Sequence, residues 1–436
     1  MNIILLSGGS GKRLWPLSND IRSKQFIKIF KKVNGEYESM VQRIYGQIKS
    51  VDPDAVVTIA TSKSQVSAIH NQLGEGVGIS VEPCRRDTFA AIALATAYLH
   101  DVQGVPESEA VVVCPVDPYV ELGYFECVNE LYKTAEQGDK NLTLMGIQPT
   151  YPSEKYGYIL PVEEGYTFTE KPSKEKAEQY IAAGALWNGG VFAYKLSYVL
   201  DKSKELLGTD EYKELFENYD SLRKISFDYA VVEKETSLEV LEYKGEWKDL
   251  GTWNTLTEAM EEQIIGDGRL NEECTNTQII NELGIPILGM GLHDMVISAS
   301  PEGILVSDKE QSSYIKPFVD AIDQRVMFAE KSWGSYRVID IEEAAMTVKV
   351  TLNPRHKMNY HSHSQRNEIW NVISGSGKTI VDGVERLIKI GDVISLPIGV
   401  KHTVIAGEEG LQLIEVQLGT EISVSDKIKY AMPEES

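Results

Sequence analysis

Cysteine is scarce. The 436 residues contain four, at positions 84, 114, 127 and 274, with no CxxC pair and no regular spacing. That excludes a disulfide scaffold and leaves free thiols in a reducing compartment as the expectation. Long apolar runs are missing too: no stretch approaches the ~18 residues that a bilayer-spanning helix needs. The N-terminus has no charged leader before its short apolar run, so no signal peptide is expected. Positive charge is in deficit, with 43 Lys and Arg against 65 Asp and Glu, a net −22. Such a chain repels nucleic-acid backbones and anionic membranes, and neither is an expected partner. Cations that gather locally then become candidate sites for small anions. Repeats and low-complexity tracts are also absent. Together these point to a cytoplasmic protein.

What is present is an ordinary globular composition, 42% apolar and 25% charged, long enough for two or three domains with real cores. The first ~260 residues alternate short apolar runs with amphipathic segments, the pattern of strands and helices in a mostly parallel sheet covered on both faces. Residues 55–61 (AVVTIAT) and 110–116 (AVVVCPV) read as buried strands. Residues 88–100 (TFAAIALATAYLH) read as a helix, with Asp87 or Thr88 as its N-cap. From about 275 to 325 short β-type runs alternate with Gly, Pro and Asp. Beyond 330 strand follows strand: YRVIDI, MTVKVTL, EIWNVIS, KTIVDG, DVISLP, TVIAG and LQLIEVQL. Turn residues at these intervals predict a small antiparallel barrel or jelly roll.

The first chemical signal is the glycine-rich stretch SGGSGKRLWPLSNDIRSKQF, residues 7–26, directly after Ile3-Ile4-Leu5-Leu6. A glycine-rich turn at a strand's end presents backbone N–H groups to phosphate, and Arg13 and Lys24 add charge. It is not a P-loop, because Arg13 stands where Ser or Thr is required after Gly11-Lys12. It also lacks the third glycine of a dinucleotide fingerprint. Two aspartates stand out: Asp117 follows the strand AVVVCPV, and Asp249 lies in GEWKDLGTW. A carboxylate at a strand's C-terminal end suits Mg²⁺ on substrate phosphates, though a single turn aspartate is ordinarily structural. In FTEKPS, Lys171 precedes Pro172, which holds it at an extended corner, and Ser173 can cap the next helix.

GGSGKRLWPLS, KQF, EPCRRDT with AIALA, GIQP, YGYI, FTEKP, LWNGGVF, SFDYAVVEK and EWKDLGTW occur in the order seen in mannose-1-phosphate guanylyltransferases, and residues 1 to about 260 resemble that family. The resemblance implies a Rossmann-like α/β nucleotidyltransferase domain with a mixed, mostly parallel sheet, over 1–265. It implies synthesis of GDP-mannose and pyrophosphate from GTP and mannose 1-phosphate. By motif match, Arg13 and Lys24 hold the nucleotide phosphates, and Asp117 and Asp249 hold Mg²⁺. Gly8, Gly9, Ser10, Gly11, Asp87 and Thr88 lie by the nucleotide. Lys171 holds the sugar phosphate, while Gly157, Glu170 and Asn188 face the sugar. Four positions depart from the family's pattern: Ser23 for proline, Asp87 for asparagine, Pro118 for histidine and Gly189 for serine. Asp87 exchanges an amide for an acceptor-only carboxylate, which leaves another nucleotide or sugar open.

Of seven histidines, three form a pattern with a glutamate: NYHSHSQRNEIW gives His361, His363 and Glu368, and LPIGVKH gives His402. On a strand HxH places both imidazoles on one face. Three imidazoles and a carboxylate suit a divalent transition metal, zinc foremost. HxH(x)4E(x)6G followed by PxGxxH resembles the cupin fold. KSWGSY and EVQLG make 326–436 similar to the isomerase half of bifunctional enzymes that interconvert mannose 6-phosphate and fructose 6-phosphate, with a β-rich connector at 266–325. The family generally carries Gln at position 361. Its basic run after EVQ is replaced here by SVSDKIKYAMPEES. Loss of that guanidinium removes a bidentate phosphate holder, so strong isomerase activity is not expected. A metal-stabilised module for assembly or ligand sensing is the alternative. The rival outside catalysis is a sugar-nucleotide-binding regulator on a decayed scaffold. A homo-oligomer, a dimer, is expected.

Overall fold

A computed structural model describes residues 1–433 apart from 10, 20, 164, 323–324 and 424–425. The opening apolar run forms the strand Asn2–Ser7, parallel to Val56–Ser62 on one side and Ala110–Pro115 on the other. Gly78–Glu82 extends the parallel half. The other half is largely antiparallel. Leu186–Lys195 pairs antiparallel with Ala110–Pro115 and with Leu142–Ile147, and Leu238–Tyr243 runs parallel to Leu142–Ile147. The hairpin Tyr158–Val162 and Gly165–Thr169 completes a nine-stranded mixed sheet.

Side-chain alternation explains why the sheet is covered twice. Ile3 and Leu5 pack with helices Met40–Val51 and Leu122–Gln137, whereas Ile4 packs with Asp87–Asp101 and Leu196–Leu207. Ser39 starts the first of these helices with a reciprocal capping box to Gln42. The cap expected of Asp87 or Thr88 is not formed. Arg86 occupies the N-cap position without a side-chain capping bond, and Asp87 is itself helical by hydrogen bonding although its φ is +70°. Asp87 Oδ1 accepts from the Thr88 N–H, and Thr88 Oγ1 accepts from the Phe227 N–H at 2.9 Å. Aspartate tolerates positive φ better than most residues, so the chain turns sharply here before the helix begins. Ser173 does occupy the N-cap of Lys174–Ala182, without a side-chain cap bond.

The next segment coils. Ile264–Ile265, Gln278–Asn281 and Met295–Ser300 stack in parallel, Gly268–Leu270 pairs in parallel with Ile287–Gly289, and Gly303–Asp308 closes the stack antiparallel. Arg22 fastens it to the first region through a bidentate pair with Glu282, both contacts 2.8 Å.

The C-terminal part is an antiparallel curled sheet of nine strands. Runs that look separate in sequence join into long strands. EIWNVIS and KTIV lie in Asn367–Val381, and TVIAG and LQLIEVQL lie in His402–Leu418. The intervening glycines make bulges, not turns: register shifts fall between Val372 and Ser374 and between Gly375 and Gly377. A side chain at Gly377 would lie 2.2 Å from the Ile405 carbonyl. Among the described residues no helix is long and apolar enough to cross a membrane. All four cysteines are free.

Candidate active site

Parallel strands deliver their C-terminal loops to one edge of the sheet. Leu6 is level with Pro115, so the glycine loop after Ser7 and Asp117 after Pro115 emerge side by side. Asp249 reaches them by a separate route. The three-residue strand Trp247–Asp249 pairs antiparallel with Pro118–Val120, with Asp249 opposite Pro118. This short ladder sets the two aspartates together across 132 residues of sequence. Lys24 lies between them, its Nζ 3.0 Å from Asp117 Oδ2 and 3.8 Å from Asp249 Oδ1. Partial burial and the neighbouring Asp117 raise the Asp249 pKa, while Lys24 and Arg13 oppose the rise. The two carboxylates therefore repel each other, and a divalent cation between them would relieve that repulsion.

The glycine loop is shaped to lie against something. Gly9 and Gly11 have φ of +109° and +62°, and nothing stands within 4 Å of a side chain built at Gly8 or Gly9. At Gly11 a Cβ would lie 2.9 Å from the Lys24 nitrogen, so loop and lysine are in backbone contact. Ser10, expected in this loop, lies outside the described residues.

A cavity of about 220 Å³ opens beside the acid pair, lined by Asp117, Asp249, Gly157, Glu170, Asn188 and Asp228 among others. All three residues expected to face a sugar are here. Gly157 has to be glycine: a Cβ would stand 2.5 Å from Glu170 Oε2 and from the Phe168 ring. Lys171 has φ +46°, and its Nζ is 2.5 Å from Glu170 Oε1. Asp87 and Thr88 are not brought into this cavity. Asp87 is exposed at the helix start, and Thr88 supports the segment Phe227–Ala230 that carries Asp228.

Asp228 enters the sequence reading only as part of the run SFDYAVVEK. Burial and the nearby Glu170 push its carboxyl up to about 6, and it accepts a 2.7 Å hydrogen bond from Asn188 Nδ2. Lys155, Tyr156 and Trp247 also line the cavity, with Tyr156 and Trp247 ring centroids 5.4 Å apart. No sequence pattern singles out Lys155 or Trp247. The YGYI and EWKDLGTW runs that hold or adjoin them are their only signal.

The second cluster lies in the curled sheet. His361 is paired with His402 across antiparallel strands, and His363 follows the end of its strand. The three rings gather with centroids 4.4–5.3 Å apart, and one ligand atom from each lies within 4.8 Å of the others. Glu368 joins them, Oε1 at 2.9 Å from His363 Nε2 and Oε2 at 3.4 Å from His402 Nε2. Each Nδ1 is bonded to a backbone carbonyl: His361 to Asn359, His363 to Asp426 and His402 to Val400. That arrangement fixes the tautomer and turns the Nε2 atoms inward as ligands. His402 Nε2 is buried without a hydrogen-bond partner, and burial with Lys427 nearby pushes His361 down to about 2, so the ring is neutral. The residues fit a divalent metal.

A cavity of about 620 Å³ adjoins this cluster, and four cations line it: Lys331, Arg366, Lys427 and Lys429. The C-terminal segment, which lacks the expected arginine, supplies two of the four because its last strand, Ile428–Lys429, pairs with His361–Ser362. Burial raises Glu415 and lowers Lys427 in the same cavity.

The model of the nucleotidyl transferase family matches residues 2–264, and that of the mannose-6-phosphate isomerase C-terminal family matches residues 322–431. Mannose-1-phosphate guanylyltransferase of Escherichia coli K12 is 27% identical over 98% of this chain and 97% of its own. The xanthan biosynthesis protein XanB of Xanthomonas campestris pv. campestris is 29% identical over 98% and 97%. A crystal structure described as mannose-1-phosphate geranyltransferase from Thermus thermophilus superposes with a TM-score of 0.60 at 27% identity, covering 73% of this chain and 98% of that one.

Proposed function

Because the chain belongs to the nucleotidyl transferase family, and is a nucleotidyltransferase, we propose that its first cleft joins GTP to mannose 1-phosphate, giving GDP-mannose and pyrophosphate. The observation that carries this reading is the meeting of Asp117 and Asp249, both paired with Lys24, at the edge of a cavity walled by Gly157, Glu170 and Asn188. The full-length likeness to a guanylyltransferase supports the choice of base and sugar. The nucleophile is a phosphate oxygen of the sugar phosphate, already ionised because its second pKa is about 6. No general base is needed. The work of the site is to align two anions for in-line attack at the α-phosphorus and to offset their repulsion. Arg13 and Lys24 face the triphosphate, and Lys171 takes the sugar phosphate when it leaves Glu170. Glu170 accepts hydrogen bonds from sugar hydroxyls, and Asn188 can both accept and donate. Asp117 and Asp249 would hold Mg²⁺, which when bound screens triphosphate charge and favours departure of pyrophosphate. A non-catalytic regulator would have dispensed with one of these groups, yet Arg13, Lys24, Asp117, Lys171 and Asp249 are all retained.

The test is a pyrophosphate-release screen of four nucleoside triphosphates against a panel of sugar 1-phosphates. Turnover is expected with GTP and mannose 1-phosphate. Preference for another pair would overturn the substrates and leave the reaction class intact.

The cationic cavity favours a second reading for the C-terminal region: isomerisation of mannose 6-phosphate and fructose 6-phosphate. His361, His363, Glu368 and His402 would hold a divalent metal, zinc foremost, which when bound polarises a sugar oxygen. Lys427 and Lys429 offer charge for the phosphate. A coupled assay for fructose 6-phosphate formed from mannose 6-phosphate decides it, and no turnover by metal-loaded protein would reject it.

A further inference from the structure

The turn that carries Lys24 is held from outside the cleft by a helix. The 3-10 turn Lys24–Phe26 is bonded at both flanks to helix Val66–Leu73 and its N-cap residue, Gln65. At one end Gln65 Nε2 donates to Ser23 Oγ at 2.6 Å, and Ser23 Oγ donates to the Gly9 carbonyl at 3.0 Å. At the other end Gln72 Nε2 donates to the Phe26 carbonyl at 3.1 Å. Positions 65 and 72 are seven apart, two helical turns, so both amides leave the same side of the helix.

Gln65 is fixed in turn. Its Oε1 accepts from Thr61 Oγ1 at 2.7 Å and from Gln25 Nε2 at 3.4 Å, while Gln25 Nε2 also donates to Ser7 Oγ at 2.9 Å. Ser7, Ser23, Gln25, Thr61 and Gln65 are 0–2% exposed. Burying five polar side chains is costly unless each is satisfied, and an apolar filling would serve stability as well. What the network supplies instead is position. It ties the last residue of the first strand, the Gly9 turn and both neighbours of Lys24 to one helix. The Ser23 hydroxyl also stands where guanylyltransferases usually have proline, which could not make this link.

We propose that Gln65 and Ser23 are positioning residues of the transfer site, holding the Gly9 turn and the Lys24 backbone where the triphosphate needs them. The proposal rests on the reading of Lys24 as a phosphate holder. Neither residue touches substrate; both act through Lys24 and Gly9.

The test uses the full chain and three variants, Ser23→Ala, Gln65→Ala and Ser23→Thr. Ser23→Ala and Gln65→Ala should each weaken GTP binding at least ~5-fold by calorimetry without sugar phosphate, and lower kcat by roughly 5- to 20-fold. The KM for mannose 1-phosphate should stay within about two-fold, a split that general loosening of the fold would not produce. Ser23→Thr keeps the hydroxyl and should retain GTP affinity within about two-fold. The double variant should lose little more than either single one, since both break one chain of bonds. Wild-type GTP affinity in a folded Ser23→Ala protein would overturn the proposal, as would an equal fall in affinity for both substrates. Should Gln65→Ala fail to fold, Ser23→Ala carries the test alone. If the wild-type protein binds GTP but transfers nothing from it, the functional reading fails, and the GTP affinities still judge the clamp.

Discussion

The two sites solve opposite problems. In the first, Asp117 and Asp249 side chains are 43% and 41% exposed, set on loop ends and a three-residue ladder, and paired with Lys24. In the second, His361, His363 and His402 are 3%, 3% and 1% exposed, on or just past strands of a curled sheet, with each Nδ1 already committed to a carbonyl. An open, wet, charged cleft suits polyanions that must enter and leave. A buried imidazole cluster suits a ligand that stays. The lesson is that exposure, more than residue type, separates a turnover site from a resident one.

If so, damage to each should be private to it. The largest effect is expected for Asp249→Asn. Turnover should fall at least ~10²-fold, as when a metal–phosphate contact is lost. The melting temperature and the metal content of the C-terminal region should not move, because the side chain is partly exposed. Asp117→Asn should behave likewise. Unchanged pyrophosphate release by either purified variant would remove the acid pair from the mechanism. The converse is the double variant His361→Ala, His402→Ala. Elemental analysis should find the metal of the purified wild type gone, since losing even a residue that only orients a ligand commonly costs ~10- to 100-fold in metal affinity, while nucleotidyl transfer stays within about two-fold. A wild-type protein purified without chelator and free of metal would end the idea of a resident ion.

The sites also differ in how far the sequence reveals them. His361, His363, Glu368 and His402 are legible from spacing alone, because period-two alternation sets two imidazoles on one face and two further strands bring the other two groups to it. Asp117 and Asp249 are not: their meeting depends on Pro118–Val120 finding Trp247–Asp249, a pairing too short to leave a pattern. Only the ordered motifs point there. The long bent strands of the C-terminal sheet look like pairs of short ones in sequence, because glycine signals turns and bulges alike. Asp87 looks like a cap because its type favours one, and its positive φ is set by tertiary context. Asp228, Lys155 and Gln65 carry no local signature, since their roles come from what other segments place beside them.

Within the open site, rigidity should be graded from the sugar side outward. Gly157→Ala forces a methyl to 2.5 Å from Glu170 and Phe168. Glu170 has to move, and KM for mannose 1-phosphate should rise ~10-fold, about 1.4 kcal/mol of lost contact. GTP affinity should be unaltered. Equal loss on both substrates would mean that the two halves of the cleft are one unit.

The smallest effect belongs to Asp228, and it tests whether this cleft holds any buried charge at a cost. The folded carboxyl is pushed up to about 6 from an ordinary 3.8 by burial and by Glu170, against the pull of Lys171 and the Asn188 amide. A raised carboxyl means that the folded chain holds its proton more tightly than the unfolded chain does. Stability is then lost as pH rises from about 4 to about 6, and above that window the cost is constant. Asp228→Asn keeps an acceptor for Asn188 Nδ2 and removes the charge. By denaturant midpoint it should be more stable than wild type by ~1 kcal/mol at about pH 8, with the gap narrowing at about pH 5 and gone near pH ~4. A gap that ignores pH would show that the carboxylate sits there ionised without penalty.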